Sequence, residues 1–225
     1  MSFIVAIDGP AGTGKGTITK LVAEKLNLIN IDTGAMYRCV ALELLNNNVN
    51  IDDIESIKKL LENINIDMKN ENNMLKIFLN NNDVTDEIRT KRVNDIVSQV
   101  SHIPVVRENM VDLQRKMGIN KNVVMEGRDI GTNVFPNANV KIYLDALAEE
   151  RAKRRYRQEI EKGRNPDYEE ILKNIIFRDE NDKNATIAPL KMAEDAIYID
   201  TTKLTIAEVE EKVIQIIRGG EKIDV

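Results

Sequence analysis

At 225 residues and 42% hydrophobic content, the chain is long enough for one α/β domain with insertions and has enough apolar material for a core. A net charge of −5, four Phe, five Tyr and no Trp argue against a general nucleic-acid binder, which needs a basic face and stacking rings. No apolar run reaches membrane-spanning length, MSFIVAIDGP lacks the basic segment of a signal peptide, and the single Cys39 forms no internal disulfide, so a reducing cytoplasm is expected.

Phe3-Ile4-Val5-Ala6-Ile7 is a short continuous apolar run, which predicts a strand buried on both faces. It leads into a Gly-rich turn and a helix from about Lys15 to Leu26, with Ile18, Leu21, Val22 and Leu26 at helical spacing. A second strand is predicted at 28–31. Asp32 and Thr33 are placed to cap a helix reaching about Leu45, and Asp52 or Asp53 to begin another ending near Leu61. Between 64 and 79 the period changes to two: Ile64, Ile66 and Met68 alternate, residues 70–73 read as a turn, and Leu75, Ile77 and Leu79 alternate. That predicts a β-hairpin inserted into a βα pattern. Helices follow at about 85–101 and, with Pro104 in the first turn, 104–117. Strands are predicted at 123–125 and 140–144, a charged helix at 147–162, a break at Gly163 and Pro166, and a helix at 168–182. A last strand at 197–199 and a closing helix at 205–217 complete the chain. The alternation predicts a parallel sheet covered on both sides, with ligands at the carboxyl ends of its strands.

Gly9-Pro10-Ala11-Gly12-Thr13-Gly14-Lys15-Gly16-Thr17 stands directly after the first strand and directly before a helix, the context a phosphate loop requires. Glycines let successive N–H groups turn inward toward phosphate oxygens, the helix N-terminus adds partial positive charge, and Lys15 reaches the β- and γ-phosphates. The residue after the lysine is Gly16 where a Ser or Thr is usual, and the hydroxyl comes next, on Thr17. Mg²⁺ is therefore expected to be held by ATP phosphates and water, near Thr17, without a dedicated protein ligand set. The base-reading N-K-x-D of GTPases is missing: Asn120-Lys121-Asn122-Val123 lacks the final acid and precedes a strand. Eleven of thirteen arginines fall between Arg89 and Arg178, a planar-donor cluster suited to phosphate as well as to solvated helix faces.

Asp32-Thr33-Gly34-Ala35-Met36-Tyr37-Arg38, Glu126-Gly127-Arg128-Asp129-Ile130-Gly131-Thr132 and Ala188-Pro189-Leu190, with the phosphate loop, resemble the bacterial cytidylate kinases over about residues 3–218. The resemblance implies a three-layer α/β P-loop kinase fold with a five-stranded parallel sheet, an inserted nucleoside monophosphate-binding subdomain carrying the hairpin, and a helical lid. It places the core at about 1–35, 105–148 and 185–225, the insert at about 36–104 and the lid at about 149–184. It implies ATP and CMP or dCMP as partners and Mg²⁺ with ATP; a cytoplasmic monomer with no nucleic acid or membrane partner is the expectation that goes with the composition. Residues 9–17 would bind ATP. Thr33, Arg38, Ser98, Arg107, Arg128, Asp129, Arg178 and Asp182 match the family's acceptor-binding positions.

The chemistry suits these roles. A carboxylate such as Asp129 accepts from the N4 amino group of cytosine and not from the O4 of uracil, and Arg107 donors suit the cytosine O2 and N3. Arg128 and Arg38 suit the acceptor phosphate. Lid arginines, assigned here as Arg154 and Arg157 from the set Arg151, Arg154, Arg155, Arg157 and Arg164, would join Lys15 and Arg128 in spreading charge on the migrating group. Each residue has a plainer use: Arg178 and Asp182 fit an i,i+4 surface pair, Thr33 a helix cap, Asp129 a turn, Arg107 a solvated helix face, and His102 a structural role. A basic helix face balanced by Glu149, Glu150, Glu159 and Glu161 fits some lid arginines equally. Ala185 stands where relatives carry an arginine, which implies a raised acceptor KM, with Lys183 a point charge in place of a fork. The rival functions are a P-loop kinase for another small acceptor such as UMP, AMP or shikimate, and a non-catalytic nucleotide-binding module.

Overall fold

The computed structural model describes residues 2–71 and 74–220. The chain divides into two compact units, Met1–Asn30 with Asn120–Val225, and Ile31–Ile119. The first is built on a five-stranded sheet of β1 (Ile4–Asp8), β2 (Ile29–Asp32), β6 (Val123–Gly127), β7 (Val140–Asp145) and β8 (Ile197–Asp200), in the order β2-β6-β1-β7-β8. β1 pairs in parallel with β6 and β7, and β7 with β8. All five residues of β1 are buried, as its unbroken apolar run requires. Helices α1 (Lys15–Leu26) and α8 (Ile206–Gly220) bring Ile18, Val22, Val209, Val213 and Ile217 onto Val5, Ile7, Val124, Ile142 and Leu144. The register sets Asp8 opposite Gly127. The segment after Asp8 and the segment after Gly127 therefore leave the sheet side by side, at the carboxyl edge where such sheets bind ligands.

The same unit carries α6 (Ala148–Glu161) and α7 (Tyr168–Lys183), which pack on each other with the Tyr156 and Tyr168 rings edge to face at 6.2 Å. Gly163 ends the first of these at φ 72°, and the Asp167 side chain caps the second by accepting from the Glu169 and Glu170 N–H groups.

The second unit has its own core of Met36, Val40, Leu44, Ile57, Ile77, Ile88, Val97 and Met110, among others. It comprises α2 (Thr33–Asn46), α3 (Ile54–Glu62), α4 (Lys91–His102), α5 (Pro104–Gly118) and a three-stranded antiparallel sheet of β3 (Ile66–Glu71), β4 (Met74–Leu79) and β5 (Asn82–Asp83). Asp32 and Asp53 cap α2 and α3 through the N–H groups of Ala35 and Ser56. The hairpin is β3 (Ile66–Glu71) with β4 (Met74–Leu79), in the register Ile66↔Leu79, Met68↔Ile77 and Asn70↔Leu75. Strand pairing continues to Glu71↔Met74, past the expected turn at 70–73, whose residues 72 and 73 lie outside the described residues.

One expectation is corrected. The helix expected at 85–101 is a 3₁₀ turn at Glu87–Arg89 followed by α4 from Lys91. Upstream of it the chain is still completing the sheet: β5 (Asn82–Asp83) pairs with β4, and the Val84 N–H donates to the Ile77 carbonyl at 2.9 Å. The Thr85 hydroxyl accepts from Ile77 N–H at 3.0 Å and donates to Asp83 at 2.6 Å, so these residues are engaged outside any helix.

Ile77 is fully buried between the hairpin and the helices of its unit. Ile77→Ala is expected to destabilise that unit by about 2–5 kcal/mol, read as a lowered denaturant midpoint.

Candidate active site

Lys15 is the centre of the phosphate loop and is buried. Its Nζ donates to the Gly9 and Pro10 carbonyls, each at 2.7 Å, and to the Thr13 hydroxyl at 3.4 Å. The loop reaches this form through left-handed backbone at Gly12 (φ 82°) and Gly14 (φ 95°), which a side chain would strain. At Gly9 (φ 147°) the limit is space as well, because a Cβ there would lie 2.0 Å from the Leu144 carbonyl oxygen. Burial, and after it the neighbouring Arg128 guanidinium, pull Lys15 down to about 7, against the carboxylates of Glu126, Asp8 and Asp182.

Two struts hold the loop from outside. Arg151, at the start of α6, donates to the Ala11 carbonyl at 3.0 Å and to the Ala146 carbonyl at 2.8 Å, and grips both oxygens of Asp179 on α7. Losing one partner of such a buried pair costs about 3–5 kcal/mol. The Thr201 hydroxyl, just past β8, donates within reach of the Thr13 and Asp145 carbonyls at 3.2 and 3.0 Å.

Arg128, the first residue beyond β6, pairs through Nε with Asp182 of α7 at 2.8 Å. Arg178, which precedes Asp182 by four residues, is half-buried, with its buried Nε lacking a hydrogen-bond partner. Burial and then Arg128 lower its pKa. The acid of α7 thus goes to Arg128, and the simple surface pair between Arg178 and Asp182 is not what forms. Asp129 is buried and accepts from the Asn133 amide at 2.9 Å. Beyond it the chain makes a wide π-type turn at Ile130–Val134, in which the Phe135 N–H donates to the Ile130 carbonyl at 2.7 Å.

In the second unit Thr33 is buried at the start of α2, just after the Asp32 cap. Arg38 Nη1 donates to the Asn94 side chain at 3.1 Å, tying α2 to α4. Arg107 lies over the Tyr37 ring at 5.9 Å and donates to the Ser101 carbonyl at 3.3 Å. The Ser98 carbonyl accepts from the Ser101 hydroxyl at 2.8 Å, and His102 Nδ1 lies 2.6 Å from it, a helix-end contact that suits a structural histidine.

The arginines expected in a lid separate by contact. Arg154 donates to the Thr201 carbonyl at 2.6 Å and approaches Glu150 at 3.4 Å, so it latches α6 to the segment after β8. Arg155 and Arg164 both engage Glu159, at 2.8 and 2.6 Å. Arg157 is exposed on α6. Of the lid set, Arg151 touches the phosphate loop.

Sequence reasoning missed Asp8, the last residue of β1, and Glu126, the last but one of β6. Asp8 is buried and accepts from the Ile130 and Gly131 N–H groups at 2.9 and 2.8 Å. A Cβ on Gly16 would stand 3.1 Å from Glu126 Oε1, and the Thr19 hydroxyl lies 3.4 Å from the same oxygen. A lone acid at or next to the carboxyl end of a buried strand was the available signal for both.

Lys15→Met is expected to abolish turnover in a protein that melts no lower than the parent. Because the folded pKa of Lys15 lies below its unfolded value, the unfolded chain binds more protons between about pH 7 and 10.5. Burial of Lys15 therefore carries a stability penalty that shrinks as pH rises through that window. Denaturation midpoints measured across it should climb less in Lys15→Met.

Known proteins match this arrangement. Residues 5–219 match the family model for cytidylate kinase. A cytidylate kinase of Fusobacterium nucleatum subsp. nucleatum is 55% identical over 92% of this chain and 94% of its own length, and one of Carboxydothermus hydrogenoformans is 49% identical over 98% and 99%. A solved structure of an uncharacterized protein from Eubacterium ventriosum aligns with TM-score 0.51 at 15% identity, over 97% of this chain and 99% of that one, a likeness of fold alone. With its phosphate loop, its Arg128-Asp129 turn and these relatives, the chain belongs to the cytidylate kinase family.

Proposed function

We propose that the chain transfers the γ-phosphoryl group of ATP to CMP or dCMP, giving ADP and CDP or dCDP. The observation that carries this reading is the register of β1 with β6: the phosphate loop and the Arg128-Asp129 step start from paired residues, Asp8 and Gly127. A donor cradle and an acceptor-reading turn then share one sheet edge.

On this reading the loop N–H groups and Lys15 bind the β- and γ-phosphates, with residues Gly9 to Thr17 wrapping the donor. The acceptor phosphate, held by Arg38 and Arg128, attacks the γ-phosphorus in line. The bond to the bridging oxygen breaks and ADP leaves with that electron pair. The attacking oxygen is already ionised near neutral pH, so no general base is needed. Asp129 accepts from the cytosine amino group, Arg107 and Ser98 meet the rest of the base edge, and Thr33, Arg178 and Asp182 serve the acceptor phosphate and ribose. Arg154 and Arg157 remain the proposed lid contributors to charge on the migrating group, Arg154 by leaving the Thr201 carbonyl it now holds.

Mg²⁺ fits this chain as a hydrated partner of ATP. Gly16 offers no hydroxyl, and the Glu126 carboxylate occupies the space a side chain there would take. Glu126 and Thr17 would meet the ion through its waters. When bound, Mg²⁺ would supply positive charge to the donor phosphates.

We place the chain in the cytoplasm as a monomer with nucleotides as its partners. Two facts support that setting: among the described residues no helix is long and apolar enough to cross a membrane, and Cys39 is buried with its thiol pushed up to about 12. A low-reactivity core thiol suits a reducing compartment without requiring one.

ADP release measured with CMP, dCMP, UMP and AMP tests the reading: turnover with the two cytosine nucleotides at least tenfold above the others is expected, and equal turnover with UMP, or no acceptor-dependent release, would overturn it. Ala185 is half-buried just past α7, and Lys183 is exposed. Ala185→Arg is therefore expected to lower the KM for CMP by about tenfold or more, the worth of one charge-assisted contact; an unchanged KM would remove Ala185 from the account.

A further inference from the structure

Asp8 has no part in the mechanism above, yet its environment is unusual for a strand-end acid. It is 5% exposed. One carboxylate oxygen accepts from the Ile130 N–H at 2.9 Å and the other from the Gly131 N–H at 2.8 Å. These are the first N–H groups of the π-type turn, which the turn's own carbonyls do not reach. The charged form is opposed by burial and by nearby Asp129, and favoured by the two N–H bonds and Lys15, leaving Asp8 raised to about 6. Near neutral pH an ionised carboxylate therefore persists where solvation is poor.

The chemistry of the two donors explains why the residue is an acid. Two N–H groups need two acceptor atoms and no donor, which a carboxylate provides; an asparagine would turn an NH₂ toward one of them. The turn has no slack to compensate. A Cβ on Gly131 would lie 3.1 Å from Lys141 Cδ and 3.4 Å from Asp8 Oδ2, so the backbone is wedged between these side chains. The turn is also tied to Asp129 from the other end, through the Asn133 and Val134 N–H groups to the Asp129 carbonyl at 2.9 and 3.1 Å and the Asn133 amide to its carboxylate at 2.9 Å. On its own strand, Asp8 is followed directly by Gly9, whose carbonyl takes the Lys15 ammonium.

We propose that Asp8 is a positioning residue for the acceptor: by clamping the Ile130 and Gly131 N–H groups it fixes where Arg128 and Asp129 stand relative to the phosphate loop. The proposal rests on the phosphoryl-transfer reading of the same site. It assigns Asp8 no contact with either nucleotide, so its removal should separate acceptor binding from donor binding.

Calorimetric affinities for CMP and for ADP, measured separately, test this in Asp8→Asn and in Asp8→Glu, which keeps charge and both acceptors but displaces them by one methylene. In each variant CMP affinity is expected to fall tenfold or more while ADP affinity stays within threefold, and the KM for CMP should rise more than kcat falls. An unchanged CMP affinity in a folded variant, or parallel loss of CMP and ADP affinity, would overturn the proposal. Amide hydrogen exchange on the unaltered chain needs no variant: the Ile130 and Gly131 N–H groups should exchange at least tenfold more slowly than exposed loop amides, and exchange as fast as those would also overturn it. Failure of the parent chain to bind CMP would count against the phosphoryl-transfer reading itself, whereas CMP binding by the parent with either overturning result would count against Asp8 alone.

Discussion

A buried primary ammonium group sets the terms for the phosphate loop. Lys15 has its donors committed to Gly9 and Pro10 carbonyls and the Thr13 hydroxyl, and the backbone can present those oxygens only because glycine stands at 9, 12 and 14. Burial disfavours the charge, which is why the group sits near 7. Phosphate oxygens favour it. The loop is therefore a place where positive charge is cheap only when an anion arrives, which is the property a phosphoryl-transfer site needs.

Around that loop the acids are distributed so that each has a different task. Asp179 holds Arg151 under the loop, Asp182 holds Arg128 beside it, and Asp8 holds the backbone beyond Asp129. Asp8 shows the cost of this economy. A rise from 3.8 to about 6 corresponds to roughly 3 kcal/mol at neutral pH, because stability present below the unfolded pKa is lost as pH rises through the folded one. A carboxylate kept at such a position offsets its energetic penalty by geometry, and local rules of burial tend to be broken where function requires it. The relation between Gly16 and Glu126 follows the same logic: the missing side chain leaves room for a carboxylate on the neighbouring strand.

How much of this the sequence disclosed depended on distance along the chain. The phosphate loop was legible because its strand, glycines, lysine and helix are contiguous, and the hairpin because a period of two stands out among helical periods. Arg128-Asp129 was legible through resemblance, with its place beside the loop following from a parallel sheet. Partner choice was not legible. Asp8 meets Ile130 across 122 residues, Arg151 meets Ala11 across 140, and Arg128 takes Asp182 across 54 in preference to the local i,i+4 pairing with Arg178. The misjudged helix start at 85 has the same origin, since the sheet contact between Val84 and Ile77 overrides local helical preference. Periodicity reports which face a residue shows, and leaves unstated which distant group it meets.

One direct measurement tests whether an anion restores charge to the buried Lys15. Calorimetry of ADP binding at pH 8, repeated in buffers of different ionisation enthalpy, counts the protons exchanged on binding. With Lys15 near 7 in the free protein and raised by the phosphates, net uptake approaching one proton is expected in the parent chain. Binding heat independent of the buffer would contradict the account.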